Sequence, residues 1–195
     1  MSIEHAILGL LSLNSLSGYD IKKMFAGSPA LSWSGNNNQI YTSLLKLHEA
    51  GWVSRETQVQ ETSPTRKIYS ITAAGRDELR RWVLSNPDVP QVKNPFLIQL
   101  AWADALTDEE LDHLLAKYED EIRVQLLMLE HQKQQLNRSP SGVARDAYIN
   151  VSAARTPRET FLWTMILENW LSYYRSELDW VGKIRAQPRE KKGER

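Results

Sequence analysis

NNNQIYTSLLKLHEAGWVSRETQVQETSPTRKIYSIT, Asn36–Thr72, is the stretch that decides the fold. Ile40, Leu44 and Leu47 recur at helical spacing on one face, and Asn38, Thr42 and Lys46 lie roughly opposite. Small polar and basic side chains on that outer face suit hydrogen bonding to base edges and phosphates. Gly51 stops the helix where a left-handed backbone costs least. Trp52-Val53-Ser54-Arg55 opens a strand, and Lys67-Ile68-Tyr69-Ser70-Ile71 returns in alternation to Thr72, an N-cap for the helix that follows. An amphipathic helix, a glycine stop and a hairpin with a basic far side predict a winged helix-turn-helix. In that motif one helix enters the DNA major groove and the hairpin, the wing, lies against the backbone.

The rest of the chain is consistent with a small intracellular protein. Its 195 residues suffice for one domain or two small ones, and its 25% charged and 42% hydrophobic content is ordinary for a globular chain. The absence of cysteine excludes disulfides, thiol catalysis and cysteine-ligated metal centres. No apolar run reaches the roughly 18 residues that a transmembrane helix needs. Met1-Ser2-Ile3-Glu4-His5 carries an acid in place of a basic leader, so a cytoplasmic protein is expected. Lys and Arg together number 24, as do Asp and Glu, so any affinity for nucleic acid must come from local patches. Basic residues are mildly enriched before residue 90, and Asp108, Glu109, Glu110, Asp112, Glu119, Asp120 and Glu121 gather in the second half.

Along the chain, Ile3, Ile7, Leu8, Leu10 and Leu11 mark a first helix, and Ser17 caps a second over Tyr19–Phe25 that Gly27-Ser28-Pro29 breaks. After the wing, a helix from about Ala73 to Ser85 is expected to turn Leu79, Trp82 and Val83 inward. Asn86-Pro87-Asp88-Val89-Pro90 reads as a linker. Beyond it the pattern is almost purely helical. Pro95 to Ala105 is a short helix, and Thr107 with Glu110 forms a capping box for a long one reaching about Asn137. Leu111, Leu115, Tyr118, Ile122, Leu126, Leu129 and Leu136 make a seam along it. Ser139-Pro140-Ser141-Gly142 is a loop, and a last helix spans Pro157 to Ala186. The expected organisation is a winged helix-turn-helix DNA-binding domain over 1–88, an α-helical dimerisation domain over 92–186, and a disordered charged tail over 187–195. The fold class is therefore mainly α with a small β-hairpin. Two long helices with apolar residues on more than one face call for a second copy of the chain. Leu115, Ile122, Leu129, Trp163, Trp170 and Tyr174 are the expected dimer contacts.

Ala6-Ile7-Leu8-Gly9-Leu10-Leu11 with Ser17-Gly18-Tyr19-Asp20-Ile21, then Ile40–Leu47 with Glu49-Ala50-Gly51, then Arg66–Gly75, resemble in order and spacing the PadR family of bacterial transcriptional regulators. Leu97 to Asp104, Leu106–Leu111 and Tyr173–Trp180 are similar to that family's longer form, which has an α-helical C-terminal domain of the virulence-activator type. The resemblance covers about Ile7 to Ile184. It implies a homodimeric repressor of an inverted-repeat operator in double-stranded DNA, relieved by a small aromatic or lipophilic effector. Two positions depart from the family's habit: Thr42, where many members have proline, and Leu45, where many carry a second basic residue.

DNA contact is assigned to Asn36, Asn37, Asn38 and Gln39 at the helix start, and to Tyr41, Thr42 and Lys46 along it. Tyr19 on the preceding helix and Arg66 and Lys67 on the wing complete the set. An amide bidentate to adenine is the pairing that asparagine's chemistry allows, although asparagine also serves simply as a helix cap. Trp102, Trp163 and Trp170 are candidates for the wall of an effector pocket, while the more ordinary expectation is that all seven tryptophans fill cores and helix interfaces. Trp33, Trp52 and Trp82 would then pack the winged helix. His5, His48, His113 and His131 lack metal-ligand spacing, and no phosphate loop, nucleophile elbow or metalloprotease motif appears, so no metal, cofactor, membrane partner or enzymatic activity is expected. The rival readings are a winged-helix module that binds protein, and a small-molecule binder that has lost DNA affinity.

Overall fold

A computed structural model describes residues 3–27, 37–60, 63–89, 94–138 and 156–187. Trp33, Asn36, the loop from Ser139 to Gly142 and the tail beyond residue 187 lie outside the described residues. The chain divides into two compact units, Met1–Val89 with Gln135–Pro157, and Pro90–Gln134 with Arg158–Arg195.

In the first unit α1 (Ile3–Leu13), α2 (Gly18–Gly27) and α3 (Asn37–Glu49) close on a shared core, followed by β2 (Val53–Gln60), β3 (Ser63–Ile71) and α4 (Ala73–Val83). Ile7, Leu8, Ile21, Leu44 and Leu47 are fully buried there with Ile3, Phe25, Ile40 and Tyr69. The buried hydroxyl of Ser43 is satisfied by donating to Glu4 Oε1 at 3.1 Å, which ties α3 to α1. Sequence alternation predicts two strands, but the sheet has three, in the order β1-β3-β2, with β1 (Leu16–Ser17) lying against β3. Two residues are too few to leave an alternating signature.

Gly51 sits at φ 73, as the helix stop requires. Thr72 caps α4, its Oγ1 accepting the Gly75 N–H and donating to the Gly51 carbonyl at 2.7 Å. Gly75 admits no side chain, since a Cβ there would collide with the Trp52 carbonyl oxygen. α4 departs from expectation at its end. Leu79 packs against the core, but Trp82 is 39% exposed and Val83 66%. The side chain beside Trp82 is the polar His5, whose ring stacks on the indole at 4.8 Å and whose Nε2 lies 3.3 Å from Glu78 Oε1.

The second unit is helical. The expected helix over Pro95 to Ala105 breaks at Trp102 into α5 (Pro95–Ala101) and a 3-10 turn, Ala103–Ala105. α6 (Asp108–Arg138) starts on the capping box, Thr107 N–H donating to Glu110 at 2.8 Å and Glu110 N–H to Thr107 Oγ1 at 3.2 Å. That bonding holds the Glu110 carboxyl below the usual range. α7 (Pro157–Ala186) runs antiparallel to α6, as ion pairs Asp112–Arg185, Glu130–Arg175 and Lys133–Glu168 step in opposite directions along the two helices. Lys133, which stands between Leu129 and Leu136 where the apolar seam is broken, pairs with Glu168 at 2.7 Å.

At the α5 end, Phe96 stacks on Tyr118 with ring centroids 3.7 Å apart. The Tyr118 hydroxyl donates to Glu177 Oε2 at 2.6 Å while accepting from Asn94 Nδ2 at 2.9 Å. Burial, then the Glu177 carboxylate, pushes the Tyr118 phenol up from its ordinary value. Tyr118→Phe strips Glu177 of its shortest donor, and the expected cost is about 1–3 kcal/mol in urea denaturation. A folded-state pKa above the unfolded one means that this contribution is complete below pH about 10 and fades as the pH rises past it. The variant should therefore lose less stability in alkali than the wild type.

Candidate nucleic-acid interface

The outer face of α3 is built by what its inner face buries. Ile40, Leu44 and Leu47 are at most 3% exposed, and this fixes the helix rotation so that Asn38, Gln39, Tyr41, Thr42, Leu45 and Lys46 are exposed together. Asn37 opens the helix as expected, though its side chain is outside the described set. The Thr42 hydroxyl donates to the Asn38 carbonyl at 2.7 Å, so its proton is already engaged within the helix. Tyr41 is both a contact candidate and a structural piece: it is 47% exposed, and a Cβ on Gly18 would meet its ring at 2.5 Å. Glycine at 18 lets α2 and α3 approach there. Tyr19, 60% exposed, stands beside it.

The wing is tied to α2, the helix before α3, through Asp20, a residue not assigned to DNA contact from the sequence. Ser17 and Asp20 form a capping box on α2, Ser17 N–H donating to Asp20 Oδ2 at 3.1 Å and Asp20 N–H to Ser17 Oγ at 3.2 Å. Pairing of Ser17 with Ile68 in the β1–β3 ladder carries Arg66 to the start of α2. There its Nη2 donates to Asp20 Oδ1 at 3.1 Å. The same carboxylate therefore caps a helix and braces the wing. Serine followed by an acid three residues later is visible in the sequence as Ser17-Gly18-Tyr19-Asp20, but the partner 46 residues away is not. Arg66 and Lys67, both exposed, leave the strand on opposite faces, so they cannot hold one phosphate between them.

Three of the six expected dimer contacts fall inside the protomer. Leu115, Ile122 and Leu129 are at most 3% exposed within one chain. Their seven-residue repeat forms the inner seam of the second unit, so a partner cannot reach them. Trp163, Trp170 and Tyr174 are half-buried, with Trp170 and Tyr174 stacked at 6.2 Å. Among the described residues the unit leaves a different apolar set exposed: Leu97 and Ile98 on α5, Val124, Leu127 and Met128 on α6, and Phe161, Leu162, Met165 and Ile166 on α7. Trp102 also departs from the interface-filling role, being 80% exposed, because it caps α5 where the chain turns off the Phe96 face. Trp163 and Trp170 share α7, one helix away in sequence. Among the described residues no group of acids and histidines is placed to hold a metal, and no helix is long and apolar enough to cross a membrane.

Family models match both parts of the chain: Transcriptional regulator PadR-like family over residues 7–81, and Virulence activator alpha C-term over residues 92–187. The negative transcriptional regulator PadR of Bacillus subtilis (strain 168) is 34% identical over 113 residues, which are 57% of this chain and 62% of that protein. The aligned segment thus spans less than two thirds of that relative's length. In structure the chain resembles Bacillus subtilis PadR in complex with operator DNA, with a TM-score of 0.73 and 27% identity over 94% of this chain and 97% of that one. It also resembles the same protein in complex with p-coumaric acid, with a TM-score of 0.69 and 26% identity over 94% and 96%.

Proposed function

Since this chain belongs to the transcriptional regulator PadR-like family, with a virulence-activator-type C-terminal module, we propose that it is a cytoplasmic, homodimeric, sequence-specific DNA-binding repressor. The observation that carries this reading is α3, whose buried apolar side leaves Asn38, Tyr41, Thr42 and Lys46 facing outward next to a braced wing. The operator-bound relative supports it. Residues 1–88 supply the DNA-binding domain, and 92–186 join two copies through the apolar surface of α6 and α7. Two-fold pairing of such domains selects an inverted repeat with half-site centres about one helical turn apart, or a multiple of it.

The effector is a small planar aromatic acid or a lipophilic compound, as the p-coumaric acid complex of the Bacillus protein suggests. Trp163 and Trp170, two turns apart on α7, provide aromatic wall for it, whereas Trp102 stands by the opposite end of the α6–α7 pair and belongs to no common wall with them within one chain. Such a molecule releases DNA only to the extent that it binds the two states differently, commonly by 1–3 kcal/mol. Sequencing of genomic fragments retained by the purified protein tests the whole reading. Enrichment of one inverted repeat, with retention reduced by p-coumarate, is expected. Uniform retention of all fragments, or of none, would contradict it.

A further inference from the structure

Leu44 and Leu45 are neighbours with opposite fates. Leu44 is 0% exposed in the core, whereas Leu45 is 47% exposed and takes no part in that core. Single exposed leucines are common on protein surfaces. The position of this one is not neutral, however. Asn38, Thr42 and Leu45 stand at i, i+4 and i+7, a single stripe along the exposed side of α3, with Lys46 flanking it. The stripe is therefore polar, then mixed, then apolar, and the proton of the Thr42 hydroxyl is already taken by the Asn38 carbonyl.

In the major groove one base offers an apolar group: thymine, through its 5-methyl. We propose that Leu45 is a specificity-determining residue that contacts the 5-methyl of a thymine in each half-site, with the Thr42 methyl beside it. This rests on the DNA-binding reading given above and deepens it. Leu45 stands about 10 Å along the helix axis from Asn38, two turns on, so the thymine belongs to a different base pair from the one Asn38 reads. An aliphatic side chain also gives no reward for guanine, whose groove edge presents only acceptors.

Deoxyuridine lacks that methyl and keeps every hydrogen-bonding group of thymine, which makes the test selective. A duplex enriched by the full-length protein from a random pool is resynthesised with deoxyuridine at one thymine at a time, and affinities are compared. One thymine per half-site should show a loss of about fourfold on the scale of one buried methyl, and roughly the square of that when both half-sites are changed. Leu45→Ala should bind the unmodified duplex several-fold more weakly and respond to no deoxyuridine substitution. Because Leu45 is exposed, that variant should keep the wild-type unfolding midpoint. A wild-type protein indifferent to every substitution, or a Leu45→Ala protein as sensitive as wild type, overturns the assignment to Leu45 alone. Failure to enrich any duplex overturns the DNA-binding reading and this assignment with it.

Discussion

Replacing Lys46, Arg66 and Lys67 together by alanine should weaken DNA binding by on the order of a thousandfold at low salt, for cognate and unrelated sequences alike. The three side chains are exposed, and on the proposed reading each neutralises a phosphate. Each lost contact removes about one unit from the slope of log affinity against log salt, so a dimer losing three per half-site should flatten by up to about six units. The contributions should differ. Lys46 leaves α3 on its outer side, whereas Arg66 already spends Nη2 on Asp20 and has only its remaining donors to offer a phosphate. Arg66→Ala should therefore also loosen the wing, while Lys46→Ala leaves it intact. Filter binding across a salt series gives both quantities, and an unchanged slope in the triple variant would remove these residues from the interface.

The second large effect is expected at the exposed apolar surface of the C-terminal unit. Leu127 is 67% exposed and Ile166 41%, so Leu127→Glu with Ile166→Glu should leave each protomer folded. Two carboxylates placed in a buried apolar interface cannot be solvated, and the dimer should part. Light scattering should then fall from twice the chain mass to the chain mass, with helical circular dichroism retained. Operator affinity should drop by about 10²- to 10⁴-fold, because the second half-site is no longer delivered at high effective concentration. Ile122→Ala provides the contrast. Ile122 is 3% exposed inside the protomer, so its truncation should cost about 2–5 kcal/mol of protomer stability instead of selectively splitting the dimer. A double glutamate variant that remains dimeric would place the interface elsewhere.

The helices were legible because their signals are local. Ile40, Leu44 and Leu47 set the rotation of α3, Gly51 its end, and Thr107 with Glu110 the start of α6. Pro157 and Ala186 bound α7 as the sequence pattern predicts. What periodicity cannot say is which neighbour covers an apolar stripe. A heptad of Leu115, Ile122 and Leu129 looks the same whether the facing helix belongs to the same chain or to a second one. Here α7 of the same chain faces it, and the exposed apolar side chains of the two helices, the surface proposed for a partner, include Leu127 and Met128 on α6 and Phe161, Leu162, Met165 and Ile166 on α7. Long-range polar pairs were invisible for a related reason. Asp20 with Arg66 and Tyr118 with Glu177 depend on strand register and helix pairing, which individual residues do not encode. Trp102 and Val83 misled because hydrophobicity alone does not reveal that a side chain stands at a helix end, beyond the reach of the core.

The claim that the outer face of α3 reads DNA sequence meets its most direct test in Asn38. Binding-site selection from a random pool should be run in parallel with wild type and Asn38→Ala, and the base preferences compared position by position. The expected result is an inverted repeat in both, with preference relaxed at one position per half-site by about 1–3 kcal/mol in the variant and the salt slope unchanged. Identical preferences in the two proteins, or no sequence preference in the wild type, would contradict the account.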